Sequence, residues 1–207
     1  MTALARSAPG TLIKRAVIAV LAALSLASCG INSVPTSEEQ VNAAWGNLQA
    51  DYQRRADLIP NLVNTVKGYA QQEKTVLTEV TEARANAGRV QLNAGDLSDP
   101  AKVQAFNEAQ SRLTQAIIPL QRLQEAYPDL KSNQNFLALQ DQLEGTENRI
   151  NASRRDYNGA VQAYNTRIRT FPDAVGAKIF YGAKPKVPFE AAAAAQEAPT
   201  VNFNTAG

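Results

Sequence analysis

Apolar residues recur at steps of three and four along most of this chain. The first series runs Val41, Trp45, Leu48, Tyr52, then Ile59, Leu62, Val66, Tyr69, Val76, Val80, Ala83, Ala87 and Val90. A period near 3.5 predicts helices packed in coiled-coil fashion. Arg55 and Glu73 occupy slots in this otherwise apolar seam. A second series opens at Asp99-Pro100, where Asp suits an N-cap and Pro the first helical position. It continues through Val103, Phe106, Leu113, Ile117, Leu120 and Tyr127, and should end before Pro128. The third starts near the capping pair Ser132-Asn133. It runs Phe136, Leu139, Leu143, Ile150, Tyr157, Val161, Tyr164, Ile168 and Phe171, with Pro172 as its stop.

Only short stretches, roughly 93–98 and 128–132, separate the three regions. Short connections force neighbouring helices to run antiparallel, so the expected fold is all-α, an elongated up-and-down helical bundle. A single helix over 37–90 would be about 80 Å long against about 42 Å for the second region, at 1.5 Å per residue. Two solutions present themselves. Asp57 caps a new helix with Pro60 in its first turn, giving four helices, or one long first helix kinks at Pro60, giving three. Register arithmetic across the two turns sets Glu73, Arg112 and Glu147 at one level. They are expected to form a structural polar layer, because a carboxylate in a seam slot needs a partner.

The N-terminus changes the picture. Arg6, Lys14 and Arg15 precede an apolar run of 13 residues, Ala16–Ser28, too short for the roughly 20 that span a bilayer as a helix. Leu26-Ala27-Ser28 before Cys29 reads as a lipobox, the recognition site of signal peptidase II, with Cys29 as the lipidation site. The expected mature chain starts at Cys29, carries acyl chains such as palmitate, and faces the extracytoplasmic side. Gly30 after the cysteine favours the periplasmic face of the outer membrane in a cell with two membranes. A lipid thioether accounts for the only cysteine, since one thiol forms no internal disulfide.

Residues 1–28 hold three basic residues and no acids, so the mature chain has 18 basic against 19 acidic residues and a net charge of −1. No clustered positive charge remains to support nucleic-acid binding. Histidine is absent, which removes Ser-His-Asp and Cys-His nucleophiles, imidazole acid–base chemistry and His-ligated metals. No glycine-rich phosphate loop occurs, and no cofactor is indicated. Carboxylate pairs such as Glu38-Glu39 keep one enzymatic alternative open, a carboxylate-dependent hydrolase acting on cell-envelope polymer.

Several long stretches resemble the LemA family. They include Arg54-Arg55-Ala56-Asp57-Leu58-Ile59-Pro60-Asn61-Leu62-Val63, Val66-Lys67-Gly68-Tyr69-Ala70 and Ala126-Tyr127-Pro128-Asp129-Leu130-Lys131. They continue with Asn135-Phe136-Leu137-Ala138-Leu139-Gln140, Leu143-Glu144-Gly145-Thr146-Glu147-Asn148-Arg149-Ile150, Arg154-Arg155-Asp156-Tyr157-Asn158, Tyr164-Asn165 and Phe171-Pro172. The resemblance implies a helical bundle anchored by an N-terminal membrane segment, no established enzymatic activity, and a role in membrane-associated protein assemblies of the envelope. This chain departs from the family pattern in placing a lipobox where an uncleaved transmembrane helix usually stands. The resulting map is a signal peptide over 1–28, a lipidated linker over 29–36, a LemA-like bundle over 37–182 and a Pro/Ala-rich tail over 183–207. The expected role is a non-enzymatic scaffold or adaptor, held to the membrane by lipid, with an envelope protein as partner.

Cleavage and acylation at Cys29 are read by the intact mass of membrane-extracted protein. The expected mass lacks residues 1–28 and gains acyl chains, and Cys29→Ser should leave the precursor uncut. A wild-type mass with residues 1–28 attached and no lipid refutes the assignment.

Overall fold

A computed structural model describes Val17 and residues 32–190, and the architecture of that segment is all-helical. Four long helices carry it: α1 (Ser33–Lys67), α2 (Lys74–Arg89), α3 (Pro100–Ala126) and, after the short α4 (Pro128–Lys131), α5 (Gln134–Arg167). A 3-10 turn, Ala94–Ser98, joins α2 to α3; the short α6 (Asp173–Gly176) and a π-helical turn, Ala177–Tyr181, follow α5.

The long helices alternate in direction. Ser33 at the start of α1 meets Arg167 at the end of α5, and Asp51 meets Ser153. Gln49 and Ala56 of α1 bond Leu92 and Arg84, so α2 descends beside it. Phe106 of α3 packs on Trp45 and Tyr52, and Gln110 lies against Arg55, so α3 runs parallel to α1.

Local signals explain most boundaries. The Asp99 carboxylate accepts from the backbone N–H groups of Ala101 and Lys102, with Pro100 at the first helical position. Asn133 accepts from the Phe136 N–H and starts α5. Pro128 stops α3 and opens the short α4. Helix α1 starts at Ser33, inside the linker expected over 29–36, with Pro35 in the first turn where no backbone donor is needed.

The joint in the first helical region is not where Asp57 and Pro60 suggested. Helix α1 runs through Pro60 without interruption, and Asp57 accepts from Gln53 one turn earlier instead of capping a new helix. The break falls at Gly68–Glu73. Pro60 has no N–H, so the carbonyl of Ala56 loses its partner within the helix. Arg84 of α2 replaces it, donating Nε–H to Ala56 O at 2.7 Å. A neighbouring helix thus makes the proline tolerable, and no cap is required.

Buried side chains form two separate apolar clusters. One holds Val34, Val41, Trp45, Leu48, Tyr52, Phe106, Ile150, Tyr157, Tyr164 and Phe189. The other holds Ile59, Leu62, Val66, Val80, Leu113, Ile117, Leu120, Phe136 and Leu143. Most seam positions are buried, but Tyr69 is exposed and Phe171, at 85% exposure, is nearly bare.

The tail boundary also shifts, because residues 183–190 are docked. Gly182, with φ 53°, turns the chain into an extended strap along α5. Asn165 grips the backbone of Lys186 with both amide atoms, donating to its carbonyl and accepting from its N–H at 2.8 Å each. Asn158 does the same to Phe189. Seven helical residues rise about 10.5 Å, and three extended residues about 10 Å, so the two periods match. Phe189 reaches the first cluster, stacked on Trp45 with centroids 5.9 Å apart and tilted against Tyr157 at 5.1 Å.

A double-mutant cycle tests the Pro60 compensation. Arg84→Ala should cost about 1 kcal/mol by leaving Ala56 O unpaired. In a Pro60→Ala background, where the helix supplies its own donor, that cost should fall toward zero by urea unfolding. Equal costs in both backgrounds refute the compensation.

Candidate functional site

Arg55 lies between the two apolar clusters, 1% exposed and carried by the middle of α1. Tyr52 belongs to one cluster and Ile59 to the other, so Arg55 falls between consecutive apolar slots of one seam. Its guanidinium reaches two other helices. One terminal nitrogen, Nη1, donates to Thr114 Oγ1 of α3 and to Glu147 Oε1 of α5, both at 2.8 Å. The other, Nη2, donates to the Gln110 side-chain oxygen at 2.6 Å and to the Gln110 carbonyl at 3.3 Å. The ring of Tyr52 lies 5.3 Å from the guanidinium carbon. Only Nε–H, fully enclosed, has no acceptor.

A second polar level lies one turn nearer the start of α1. Arg154 donates to Tyr52 Oη at 2.8 Å and to Asn107 Oδ1 at 2.6 Å. Asp51 accepts from Ser153 at 2.7 Å, with Arg149 at 3.7 Å. Burial raises the Tyr52 pKa above the ordinary tyrosine value despite the opposing pull of Arg154. Tyr164 is pushed up to about 12, by burial first and by the charge of Glu38 second. Tyr157 moves in the same direction by burial. The Tyr157 hydroxyl donates to the Val187 carbonyl at 3.0 Å while Tyr52 accepts from Arg154, and the rings of all three form part of the buried wall.

The expected layer of Glu73, Arg112 and Glu147 is not assembled. Glu147 is at the anticipated level, opposite Gln110 and Thr114, but its partner is Arg55. Arg112 is exposed and faces the groove between α2 and α3, with Glu79, Glu82, Arg89 and Glu108. Glu73 precedes the first residue of α2 and accepts from Tyr127 Oη at 3.0 Å, which raises the Tyr127 pKa. The error has a physical origin. A helix broken at Gly68–Glu73 puts Glu73 at a terminus, outside the continuous seam from which its level was counted. Arg112 neighbours the core residue Leu113 and lies on the α2 side of α3. Leu26, Ala27, Ser28 and Cys29 lie outside the described residues.

The arrangement suits fixation of helices more than reaction. Four of five guanidinium donors are engaged by protein groups, leaving no open position for a substrate. Among the described residues, no group of three acidic or cysteine side chains is disposed to hold a metal ion. No described helix is long and apolar enough to cross a membrane. The asparagine pair at 158 and 165 had a legible signal, identical residues seven apart on one helix face, but nothing in the sequence said what they would grip.

The model of the LemA family matches residues 44–203, about three quarters of the chain. The chain belongs to the LemA family. The match contains Arg55, Gln110, Thr114 and Glu147 as well as the asparagine-held strap. The chain is 24% identical over 140 residues to Protein LemA of Metamycoplasma hominis, covering 68% of this chain and 60% of that protein. It is 25% identical over 174 residues to magnetosome protein MamQ 2 of Paramagnetospirillum magneticum, covering 75% of this chain and 63% of the other. Magnetosome protein MamQ of Magnetospirillum gryphiswaldense is 22% identical over the same span. The chain thus spans less than two thirds of the length of these LemA and MamQ relatives.

The Arg55 layer makes an asymmetric prediction. Glu147→Ala leaves a cation enclosed with no counter-charge and should cost about 3 kcal/mol. Adding Arg55→Met removes the stranded charge, so the double variant should be more stable than Glu147→Ala alone. Urea midpoints decide it, and a double variant no better than the single one refutes the account.

Proposed function

We propose that this LemA-family chain is a non-enzymatic envelope lipoprotein that presents a helical bundle as a scaffold for a membrane-associated protein assembly. The observation that carries this reading is where the chain places its inward charge. Arg55, Glu147, Arg154 and Asp51 are spent on one another and on neighbouring polar groups, holding helices in register. What remains for function is the outer surface. The lipobox ending at Cys29 supports tethering by lipid, since two or three acyl chains hold where one would be marginal. The naming of MamQ relatives as magnetosome proteins is consistent with work at a membrane-bounded structure.

One observation favours the hydrolase alternative. The groove between α2 and α3, about 630 Å³, gathers Glu79, Glu82 and Glu108 beside Arg89 and Arg112. All three carboxylates are exposed, whereas a general acid works best against an apolar wall.

Photo-crosslinking in intact membranes discriminates the readings. A crosslinker placed at exposed Arg112 should give discrete adducts with the wild-type anchor, and Cys29→Ser should abolish them. Absence of adducts, together with release of envelope-polymer fragments that Glu82→Gln or Glu108→Gln eliminates, would replace the scaffold by the hydrolase.

A further inference from the structure

Nine large apolar side chains are exposed among the described residues, and five of them fall between positions 171 and 181. Phe171 is 85% exposed, Ile179 69%, Phe180 66% and Val175 50%. Their direction follows from helix geometry. Ala177 is buried against the helical body at 2% exposure. Val175 and Ile179, two residues to either side, are therefore turned nearly opposite to it at about 100° per residue. The patch is formed by ordered chain, α6 and the π-helical turn, so its exposure is built into the fold. Apolar surface of this kind marks a contact with a partner or a lipid phase.

Its position chooses between them. The end of α5 that leads into the patch is bonded to the start of α1, with Arg167 Nη1–H donating to the Ser33 carbonyl at 3.1 Å. The patch therefore stands at the end of the molecule from which the chain leads back to the apolar run 16–28 and Cys29. Ser33 is four Cα–Cα steps from Cys29, a reach of at most about 14 Å. Charge agrees with a lipid surface. From 167 to 186 the chain carries Arg167, Arg169, Lys178, Lys184 and Lys186 against the single acid Asp173. Arg167 is paired with Asp173, and Lys186 with Glu38. Arg169, Lys178 and Lys184 have no ion pair among the described residues, and all are exposed. Exposed apolar side chains interleaved in sequence with cations that form no ion pair among the described residues suit the boundary between acyl chains and anionic headgroups.

We propose that residues 169–184 form a membrane-inserted foot. Phe171, Val175, Ile179 and Phe180 enter the headgroup–acyl boundary, and Arg169, Lys178 and Lys184 lie on lipid phosphates. The foot is a second attachment beside the N-terminal one. It rests on the membrane-tethered reading above, and it fixes the long axis of the helices relative to the bilayer instead of leaving it to swing on a linker.

The test uses the full chain reconstituted into vesicles of phosphatidylethanolamine and phosphatidylglycerol, with and without bromine on the acyl chains. Wild-type protein, whose only tryptophan is the buried Trp45, sets the baseline. The emission added by Phe180→Trp should fall about two-fold or more in brominated vesicles. Leu137→Trp, exposed near the opposite end, should lose essentially none. Combining Phe180→Trp with Lys178→Glu and Arg169→Glu should weaken the quenching. Vesicle flotation is read in parallel. Protein that floats while Phe180→Trp stays unquenched overturns the foot and leaves the tether standing. Protein that fails to float overturns both. Emission shielded from iodide in detergent and vesicles alike, yet unquenched by bromine, means that a second copy covers the patch, and also overturns the proposal.

Discussion

The buried guanidinium of Arg55 is the constraint on which the remaining packing depends. Removing a cation from water is costly, and the cost is met only when its acceptors arrive together in good geometry. Those acceptors belong to two helices: Gln110 and Thr114 of α3, and Glu147 of α5. The apolar clusters on either side are periodic seams, and a periodic seam tolerates sliding by one turn far better than a hydrogen-bonded charge does. A shift of about 5.4 Å would leave leucine packed on leucine but Arg55 without Glu147. The layer therefore supplies register, as buried polar positions do in coiled coils.

The same turn of α1 addresses α2 through a different group. Arg55 points its side chain to α3 and α5, while the next residue, Ala56, offers α2 a carbonyl that Pro60 has released. One positively charged side chain and one helix defect thus connect α1 to all three other long helices within two residues. This explains why the proline neither breaks nor caps the helix. Its missing donor is used as an attachment point, and the arginine that fills it comes from α2.

The sequence made the helical seams legible, because burial in this fold follows the 3.5-residue period almost everywhere from Val41 to Tyr164. The caps at Asp99 and Asn133 were legible too, since side-chain oxygens at helix starts act locally. Even the level of Glu147 could be counted from loop positions. What could not be read was which arginine would meet it. Arg55 and Arg112 lie at neighbouring levels, and only the rotation of α3 turns the exposed Arg112 toward α2. The break at Gly68–Glu73 was hidden because apolar spacing stays in phase across it. The strap over 183–190 escaped for a different reason: it is held by asparagine amides reading backbone groups. That mode of recognition leaves no apolar period behind.

The two clusters differ in which parts of the chain close them. The one centred on Ile59, Leu113 and Leu143 draws on α1 to α5 alone. The other, at the end nearer Ser33, includes Trp45 from early in the described chain and Phe189 from its last turns. Trp45 stacks on Phe189, so this cluster is incomplete until the strap has docked. The strap's grips on α5 span only 21 residues for Asn165–Lys186 and 31 for Asn158–Phe189, against 92 for Arg55–Glu147, so docking of the strap on α5 closes the shorter loops. The aromatic end is sealed only where Asn158 and Asn165 hold the strap in place. Because Gly182 joins that strap directly to the turn bearing Ile179 and Phe180, docking of Phe189 and presentation of the apolar foot are two consequences of one event.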